Sequence, residues 1–301
     1  MSTIWQTVTT QPCGLGESPF WHPAEQQLYW VDIPGQQIHR CNVFMGSVES
    51  WAMPSEPGCI APAASGGLVI ALRDGIYRAD QWGGTLHLLA AAQHDTTTTR
   101  FNDGKADPSG RFWAGTMFEP RTAASAQLFS LDGGALQVKA SNATIANGLA
   151  WSPNAKTVYW ADTPTHTVRA WDWNQHTNAM SGERVFKQWP GKPAGWQFGM
   201  AGYGGRPDGA AVDVEGNYYV AMFEGARICK LSPSGQELAS IDLPALCPTM
   251  PCFGGDDLKT LYVTTARTHR SAAELQAFPQ SGCVFSTRVD VPGLPVNFYR
   301  D

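Results

Sequence analysis

The sequence predicts an all-β fold, and composition, turn residues and a repeated strand pattern support this class. The chain has 301 residues, of which 43% are hydrophobic, so one domain can bury a large core. Its 12 tryptophans, 31 glycines and 21 prolines favour many short strands joined by tight turns over helices. The repeat then specifies the architecture.

A turn rich in Gly, Asp, Pro or Asn, followed by a run of aromatic and β-branched residues, occurs six times. The runs open at Leu28, Leu68, Phe112, Val158, Tyr218 and Leu261. A second strand follows each run, near Ile38, Ile76, Leu128, Val168, Ile228 and Val284. Successive runs lie 40, 44, 46, 60 and 43 residues apart, a period typical of blades with four antiparallel strands. Residues 1–301 are therefore predicted to form one six-bladed β-propeller.

Closure of the ring is predicted from the two ends of the sequence. The segment CVFSTRVDV is expected to share a blade with a strand at residues 5–9, which removes the open sheet edges. An open solenoid or two stacked sandwiches are the alternatives, and the long period disfavours both. The longest gap contains an insertion rich in Gly and aromatic residues, 191–207, which we expect to cap one mouth of the propeller.

Charge and cysteine usage restrict the partners. The net charge of −5 with no run of Lys or Arg indicates neither nucleic acid nor a membrane surface, so a small molecule is the expected partner.

No basic start with an apolar stretch and no apolar run of about 18 residues occurs, so we expect a cytoplasmic protein, with export by a missing leader as the alternative. Seven dispersed cysteines favour reduced thiols. We expect a monomer or a weak homo-oligomer.

Several common catalytic patterns are missing from the sequence. It has no H-E-x-x-H, G-x-S-x-G, phosphate-binding loop or C-x-x-C. Cys252 has no histidine near it in sequence and is predicted to be a buried structural thiol. Asp32 and Asp162 are predicted to be structural aspartates that bond to neighbouring strands.

Four oxygen-bearing residues precede blade strands: Glu17, Asn102, Asn147 and Asp208. Because the innermost strands of a propeller line its channel, we expect these residues to converge on the axis. Glu, Asn and Asp oxygens suit one divalent ion such as Ca²⁺, Mg²⁺ or Mn²⁺, and they admit Zn²⁺ or Fe²⁺. Asn-Gly and Asp-Gly are also favoured turn dipeptides, so simple turns remain the alternative for three of the four.

The motifs that surround these residues resemble the senescence-marker-protein-30/gluconolactonase family of regucalcin-like sugar lactonases. The resemblance runs from end to end, in the order GESPFW, LYWVDIPGQQIHR, RFNDGKADPSGRFWAGTM, ANGLAWSPNAKTVYWADT, PDGAAVDVEGNYYVA and CFGGDDLKTLYVTTAR. It implies a six-bladed propeller that hydrolyses a sugar aldonolactone to the aldonic acid in carbohydrate catabolism, with one divalent ion.

The resemblance also implies roles for individual residues, as follows: metal ligands Glu17, Asn147 and Asp208; general base Asp208; substrate contacts Arg100, Asn102 and Glu119, with Pro120 one register step from Glu119. A carboxylate on a cation has a lowered pKa, so either Asp208 loosens transiently or a hydroxide on the ion acts as the base. Two other functions remain open: a metal-dependent esterase or phosphotriesterase, suggested by the aromatic insertion, and a non-catalytic calcium-binding propeller.

Overall fold

The computed structural model describes residues 3–301 and contains six four-stranded antiparallel sheets. Each sheet is one blade, so the predicted six-bladed β-propeller is confirmed. The strands are β1 (Gln6–Thr7), β2 (Gly16–His22), β3 (Gln27–Asp32), β4 (Gln37–Asn42), β5 (Ser47–Ala52), β6 (Cys59–Pro62), β7 (Leu68–Leu72), β8 (Gly75–Ala79), β9 (His87–Ala91), β10 (Thr99–Ala106), β11 (Phe112–Phe118), β12 (Ala126–Asp132), β13 (Ala135–Ala143), β14 (Ala146–Trp151), β15 (Thr157–Asp162), β16 (Thr167–Asn174), β17 (Ala179–Gln188), β18 (Arg206–Val212), β19 (Tyr218–Phe223), β20 (Arg227–Leu231), β21 (Glu237–Asp242), β22 (Pro248–Gly254), β23 (Thr260–Thr265) and β24 (Phe285–Arg288).

Blades 1 to 5 each consist of four consecutive strands, from β2–β5 to β18–β21, whereas blade 6 combines both ends of the chain. In blade 6, β1 pairs with β24 through Gln6 opposite Ser286 and Thr7 opposite Phe285. The hydroxyl of Thr9 also accepts a hydrogen bond from the backbone N–H of Val284 at 3.0 Å. The predicted closure of the ring is therefore confirmed.

Burial differs from strand to strand within a blade. The inner strand and the second strand are almost wholly buried, as in β14 and β7 respectively, because neighbouring blades pack on both of their faces. The outermost strands are mostly exposed, as in β5 and β21. Aromatic residues fill the spaces between blades; Trp113 of blade 3, for example, packs edge-on against Trp151 and Trp173 of blade 4.

The last residues of the chain cross the lower end of the channel, where the inner strands end. We call residues 290–301 the floor strap. Its backbone donates hydrogen bonds from Leu294 to Val212 of blade 5, from Tyr299 to Pro62 of blade 2 and from Arg300 to Gly110 of blade 3. The strap thus joins blade 5 to blades 2 and 3, neither of which is its neighbour in the ring.

Helical structure is limited to one short α-helix and one 3-10 turn in the described residues. Helix α1 (Ala272–Ala277) begins with a capping box in which Ser271 and Glu274 exchange hydrogen bonds, and the 3-10 turn is Thr163–Thr165. No helix within residues 3–301 is long and apolar enough to cross a membrane. All seven cysteines are free and buried, and Cys252 is one of them.

Candidate functional site

The candidate residues lie at irregularities of the inner strands. In four blades the pairing of the inner strand with the second strand shifts register close to a candidate: between Glu17 and Phe20, between Phe101 and Gly104, between Asn147 and Ala150, and between Pro207 and Ala210. A β-bulge of this kind turns a side chain away from its regular alternation. The repeated bulges therefore direct side chains from four blades towards the axis.

The glycine after Asn147 shows why β14 contains the dipeptide Asn147-Gly148. Gly148 has φ +61°, and a Cβ built there would lie 2.4 Å from the Tyr218 hydroxyl oxygen. That hydroxyl donates a hydrogen bond to the Gly148 carbonyl at 2.7 Å. Only glycine fits this backbone conformation and this close approach. Asn147-Gly148 therefore belongs to a bulge within β14 and not to a hairpin turn.

A cavity of about 190 Å³ opens at the upper end of the channel, where the inner strands begin. We call it the axial cavity. It is lined by five of the six residues that the sequence singled out, Glu17, Arg100, Asn102, Asn147 and Asp208. Each of the five is at most 6% exposed. The fold thus brings together residues that are up to about 190 positions apart in the chain.

A chain of hydrogen bonds connects the polar residues of this cavity. The Arg100 guanidinium donates to Asn102 Oδ1 at 2.8 Å, and Asn102 Nδ2 donates to Asn147 Oδ1 at 3.0 Å. Asn147 Nδ2 donates to the Thr163 hydroxyl at 2.8 Å, which itself donates to the Pro207 carbonyl. These bonds fix the Asn147 side chain between blades 3 and 5.

The carboxylates of the site repel one another in a buried setting. Burial raises the pKa of Glu17 well above its usual range, and the negative charges of Asp208 and Asp103 raise it further. Burial also raises the pKa of Asp208, again with a contribution from Asp103. Neither Glu17 nor Asp208 has a cationic partner within 4.0 Å among residues 3–301. A cation placed between them would relieve this repulsion.

The donor set fits a hard divalent ion. Two buried carboxylates and one amide oxygen, from Glu17, Asp208 and Asn147, face one cavity, and oxygen-only sets of this type are the usual ligands of Ca²⁺ and Mg²⁺. The amide nitrogen of Asn147 donates to Thr163, and its oxygen accepts one hydrogen bond from Asn102, which leaves a second lone pair of that oxygen for an ion. The residues present are therefore suited to hold such an ion.

A second group of ligand-type atoms lies away from the axis, in blade 1 and the segment before it. One ligand atom each from Cys13, Asp32 and His39 lies within 4.8 Å of the others. Both Asp32 oxygens already accept backbone N–H groups, from Gly14 at 3.0 Å and Leu15 at 3.1 Å. The structural role predicted for Asp32 is confirmed, and Asp162 acts in the same way by accepting two backbone N–H groups.

Glu119 occupies a different position from the other five residues. It does not line the axial cavity, and its two oxygens accept hydrogen bonds from the Arg73 guanidinium at 2.9 and 3.0 Å. Arg73 bonds in the same two-pronged manner to Glu56. The Arg100 guanidinium lies 3.9 Å from Glu119. In this structure Glu119 faces two arginines at the edge of the site.

Several residues of the site were not recognised from the sequence. Asp103 is 3% exposed, accepts a hydrogen bond from the backbone N–H of Leu149 at 2.9 Å and leaves its Oδ1 without a partner. In the motif RFNDGK the sequence pattern indicated the neighbouring residue Asn102 as the site residue, and not Asp103. Three further arginines, Arg121, Arg206 and Arg270, also line the cavity. They come from loops and blade ends whose convergence no local sequence pattern reveals.

The long connection between β17 and β18 consists of residues 189–205, so the last two residues of the predicted insertion belong to β18. The Tyr203 hydroxyl and His166 Nε2 are 2.9 Å apart, and Tyr203 packs edge-on against Trp196. Beneath this loop lies a second cavity of about 430 Å³, which we call the loop pocket. Arg270 and His269 line both the loop pocket and the axial cavity, so the two spaces adjoin.

Comparison with known proteins agrees with the geometry. Residues 15–267 match the family described as SMP-30/Gluconolactonase/LRE-like region. The chain belongs to this family. A curated member, the 6-deoxy-6-sulfogluconolactonase of Pseudomonas putida, is 44% identical over 294 residues, which cover 97% of each chain. Regucalcin of Danio rerio, another relative, is 34% identical over 95% of this chain and 94% of its own.

A solved structure of a family member has the same fold. The calcium-binding protein regucalcin of Agrobacterium tumefaciens superposes with a TM-score of 0.91 at 26% identity, covering 100% of this chain and 99% of that one. The family resemblance and the propeller predicted from the sequence are both confirmed.

Proposed function

We propose that this family member hydrolyses a sugar aldonolactone to the aldonic acid with the help of one divalent ion, in carbohydrate catabolism. The observation that carries the proposal is the convergence of Glu17, Asn147 and Asp208 on one cavity, beside Arg100 and Asn102. The relative named 6-deoxy-6-sulfogluconolactonase, 44% identical, supports a lactone as the substrate. Five- and six-membered lactones such as arabinono-, xylono-, galactono- and gluconolactone are the expected substrates.

In this proposal Glu17, Asn147 and Asp208 hold the ion, and their ligand chemistry admits Ca²⁺, Zn²⁺, Mn²⁺, Mg²⁺ and Fe²⁺. When bound, the ion supplies Lewis-acid polarisation of the lactone carbonyl. The family likeness to a protein described as calcium-binding makes Ca²⁺ the first ion to test.

The side chains of the chain perform the remaining steps. Asp208 accepts a proton from the water whose oxygen attacks the carbonyl carbon, and the ring C–O bond then breaks. The ring oxygen takes up that proton and becomes a hydroxyl. The former carbonyl carbon becomes a carboxylic acid that keeps the second proton of the water, and loss of this proton to solvent gives the carboxylate of the aldonic acid. Arg100 and Asn102 orient the sugar oxygens, because their own hydrogen bonds hold them rigidly in the wall of the axial cavity, which Asp208 also lines.

Two further assignments remain proposals. Glu119 would contact the sugar only after its carboxylate leaves Arg73; where it lies now, it positions Arg100 from 3.9 Å. The loop of residues 189–205 is proposed to cap the mouth of the axial cavity, because Arg270 beneath it lines both spaces.

The alternative esterase or phosphotriesterase function depends on the aromatic residues of that loop. Trp196 and Phe198 line the loop pocket but not the axial cavity, and Phe198 packs against Phe278. They therefore lie to one side of the proposed ligands, which favours a sugar over an aromatic ester in the axial cavity.

A panel of aldonolactones and one phosphotriester, each followed by acid release, tests the proposal. The protein is stripped with a chelator and reconstituted with each ion in turn. We expect lactone turnover that disappears on stripping and returns with at least one ion. Unchanged turnover by the stripped protein would contradict the metal-dependent mechanism; tight Ca²⁺ binding with no lactone turnover would favour the non-catalytic alternative.

A further inference from the structure

The axial cavity carries more positive charge than hydrolysis of a neutral lactone requires. Its wall contains four arginines, Arg100, Arg121, Arg206 and Arg270, and two carboxylates, Glu17 and Asp208. Those two carboxylates are the proposed ligands of a divalent cation. Solvent can balance Arg121, which is exposed, whereas the buried or partly buried Arg100, Arg206 and Arg270 must be balanced by other acids or by the substrate.

The acids near the cavity balance only some of these arginines. Arg100 and Arg73 face Glu119 and Glu56, so that group is neutral. Arg121 has no acidic partner within 4.0 Å among the described residues.

On the opposite wall three cations share one buried carboxylate. Glu224 is 6% exposed and lies 3.0 Å from Lys192 Nζ, 3.0 Å from Arg270 Nη1 and 3.5 Å from Arg206 Nη2. Glu274 lies 3.7 Å from Arg270, but its other oxygen accepts the backbone N–H of Ser271. Even with both acids counted, this cluster keeps one positive charge. We call Lys192, Arg206 and Arg270 the basic cluster.

Donors of the basic cluster remain unused. The Nε of Arg270 is buried and has no hydrogen-bond partner among residues 3–301. An unpaired buried donor of a charged group is costly unless a ligand satisfies it. Because Arg270 lines both the axial cavity and the loop pocket, a group bound there would lie where the two spaces join.

We propose that the lactone taken by this site carries a compact oxyanion (a sulfonate, phosphate or carboxylate) on a carbon outside the lactone ring, and that the basic cluster binds it. The inference rests on the proposed function and specifies its substrate class. Guanidinium groups bind such oxyanions in a two-pronged manner, and a cation cluster in a narrow, poorly solvated cleft attracts anions strongly. The carboxylate produced by ring opening forms beside the ligand set, so it does not account for Lys192, which lines only the loop pocket.

The first experiment uses the unmodified holoenzyme and four matched lactones: gluconolactone, its 6-phosphate, its 6-sulfonate analogue and glucarolactone, whose sixth carbon is a carboxylate. We expect kcat/KM for at least one anionic lactone to exceed that for gluconolactone by about 10-fold or more, since one charged hydrogen bond contributes that much. This preference should shrink as NaCl is raised from about 0.05 M to about 0.5 M, because salt screens the attraction. The three anionic lactones show which oxyanion fits.

Variants test whether the basic cluster is responsible. Arg270→Gln should lower kcat/KM for the preferred anionic lactone by about 10- to 100-fold, with a smaller loss for gluconolactone and an intermediate result for Arg270→Lys. Arg184→Gln is the matched control: it removes an exposed arginine of blade 4 that pairs with Asp172 at 2.9 Å. Lys192→Gln, on a surface loop, replaces Arg270→Gln if that variant does not fold.

Two outcomes separate this inference from the proposed function. The inference is wrong if kcat/KM for gluconolactone equals or exceeds kcat/KM for every anionic lactone. It is also wrong if Arg270→Gln lowers kcat/KM by the same factor for all substrates, because the basic cluster then has no role in selection. If no lactone is hydrolysed, the proposed function fails. In that case calorimetry compares the affinities of the protein for 6-phosphogluconate and for gluconate, which tests the anion subsite without turnover. Equal affinities would contradict the subsite.

Discussion

The two ends of the central channel are built from the same six inner strands, yet they differ in chemistry. The upper end is the axial cavity, with its carboxylates, amides and arginines. The lower end is a pocket of about 290 Å³ above the floor strap, lined mainly by apolar residues such as Phe20, Trp151, Phe253 and Leu294. Its one charged lining residue among those described is Lys105, whose ammonium donates to the Ala210 carbonyl at 2.7 Å. Position along a strand, more than residue type, therefore distinguishes site residues from structural ones.

Asp208 and Asp213 provide the sharpest form of this comparison, because they lie five residues apart, Asp208 near the start of β18 and Asp213 directly after its end. Asp208→Asn should lower kcat by about 10²- to 10⁴-fold, since it removes the proposed base and a ligand. It should leave folding intact, because the described residues contain no side chain that donates a hydrogen bond to Asp208. Lactone turnover and thermal unfolding of the purified variant measure the two effects.

Asp213→Asn is the matched control with the opposite expectation. Asp213 is fully buried and accepts hydrogen bonds from the backbone N–H of Glu215 and Asn217 and from the Asn217 side chain, at 2.8 to 3.0 Å. The change should lower the free energy of unfolding by about 1–3 kcal/mol and leave turnover per folded molecule unaltered. Loss of turnover in Asp213→Asn, or full turnover in Asp208→Asn, would remove the distinction between the two ends.

The floor strap gives a second, smaller test. Tyr299 packs its half-buried ring against the core cluster around Phe112, while its backbone N–H bonds to Pro62. Tyr299→Ala should lower the free energy of unfolding by about 1–3 kcal/mol, because apolar area is re-exposed, without changing kcat/KM. Chemical denaturation measures it, and Phe44→Ala, an aromatic residue that is 75% exposed, is the control with little expected change. An activity loss as large as the stability loss would show that the floor supports the site directly.

The smallest expected effect concerns the anchor of the 189–205 loop. Burial lowers the pKa of His166 below its usual value of about 6.5, and the neutral ring accepts the Tyr203 hydroxyl hydrogen bond at Nε2. Because the folded-state pKa is lowered, this contribution is fully present above about pH 6.5 and is lost as the pH falls through the folded-state value. Tyr203→Phe should weaken the anchor by about 0.5–1.5 kcal/mol.

Limited proteolysis within the loop measures that anchor. Cleavage of the unmodified protein should become faster below about pH 6.5, whereas Tyr203→Phe should be cleaved faster at neutral pH and show less pH dependence. Equal cleavage of both proteins at every pH would exclude His166 and Tyr203 as the anchor.

The sequence was most informative where burial is continuous. The second strands, such as Tyr218–Phe223, are buried on both faces and produce apolar runs that reveal the blade period. The outermost strands leave no such runs, because they are solvated, and the floor strap has no repeat to mark it. The sequence pattern singled out Glu17, Asn102, Asn147 and Asp208, because a bulge needs a glycine or a small residue beside a polar one, as in Asn147-Gly148. Arg100 was indicated by the family resemblance alone. The basic cluster was missed, since Lys192, Arg206 and Arg270 meet only in three dimensions.

The separation of the two channel ends has a kinetic consequence. No residue within 3–301 lines both the axial cavity and the pocket above the floor strap, so these are two separate spaces and the lower pocket gives the axial cavity no second exit. A molecule that has been hydrolysed must leave by the route through which the next one arrives. Product should therefore inhibit competitively, and in the proposal that the 189–205 loop caps this mouth, the rate of loop opening would limit turnover once the chemical step is fast.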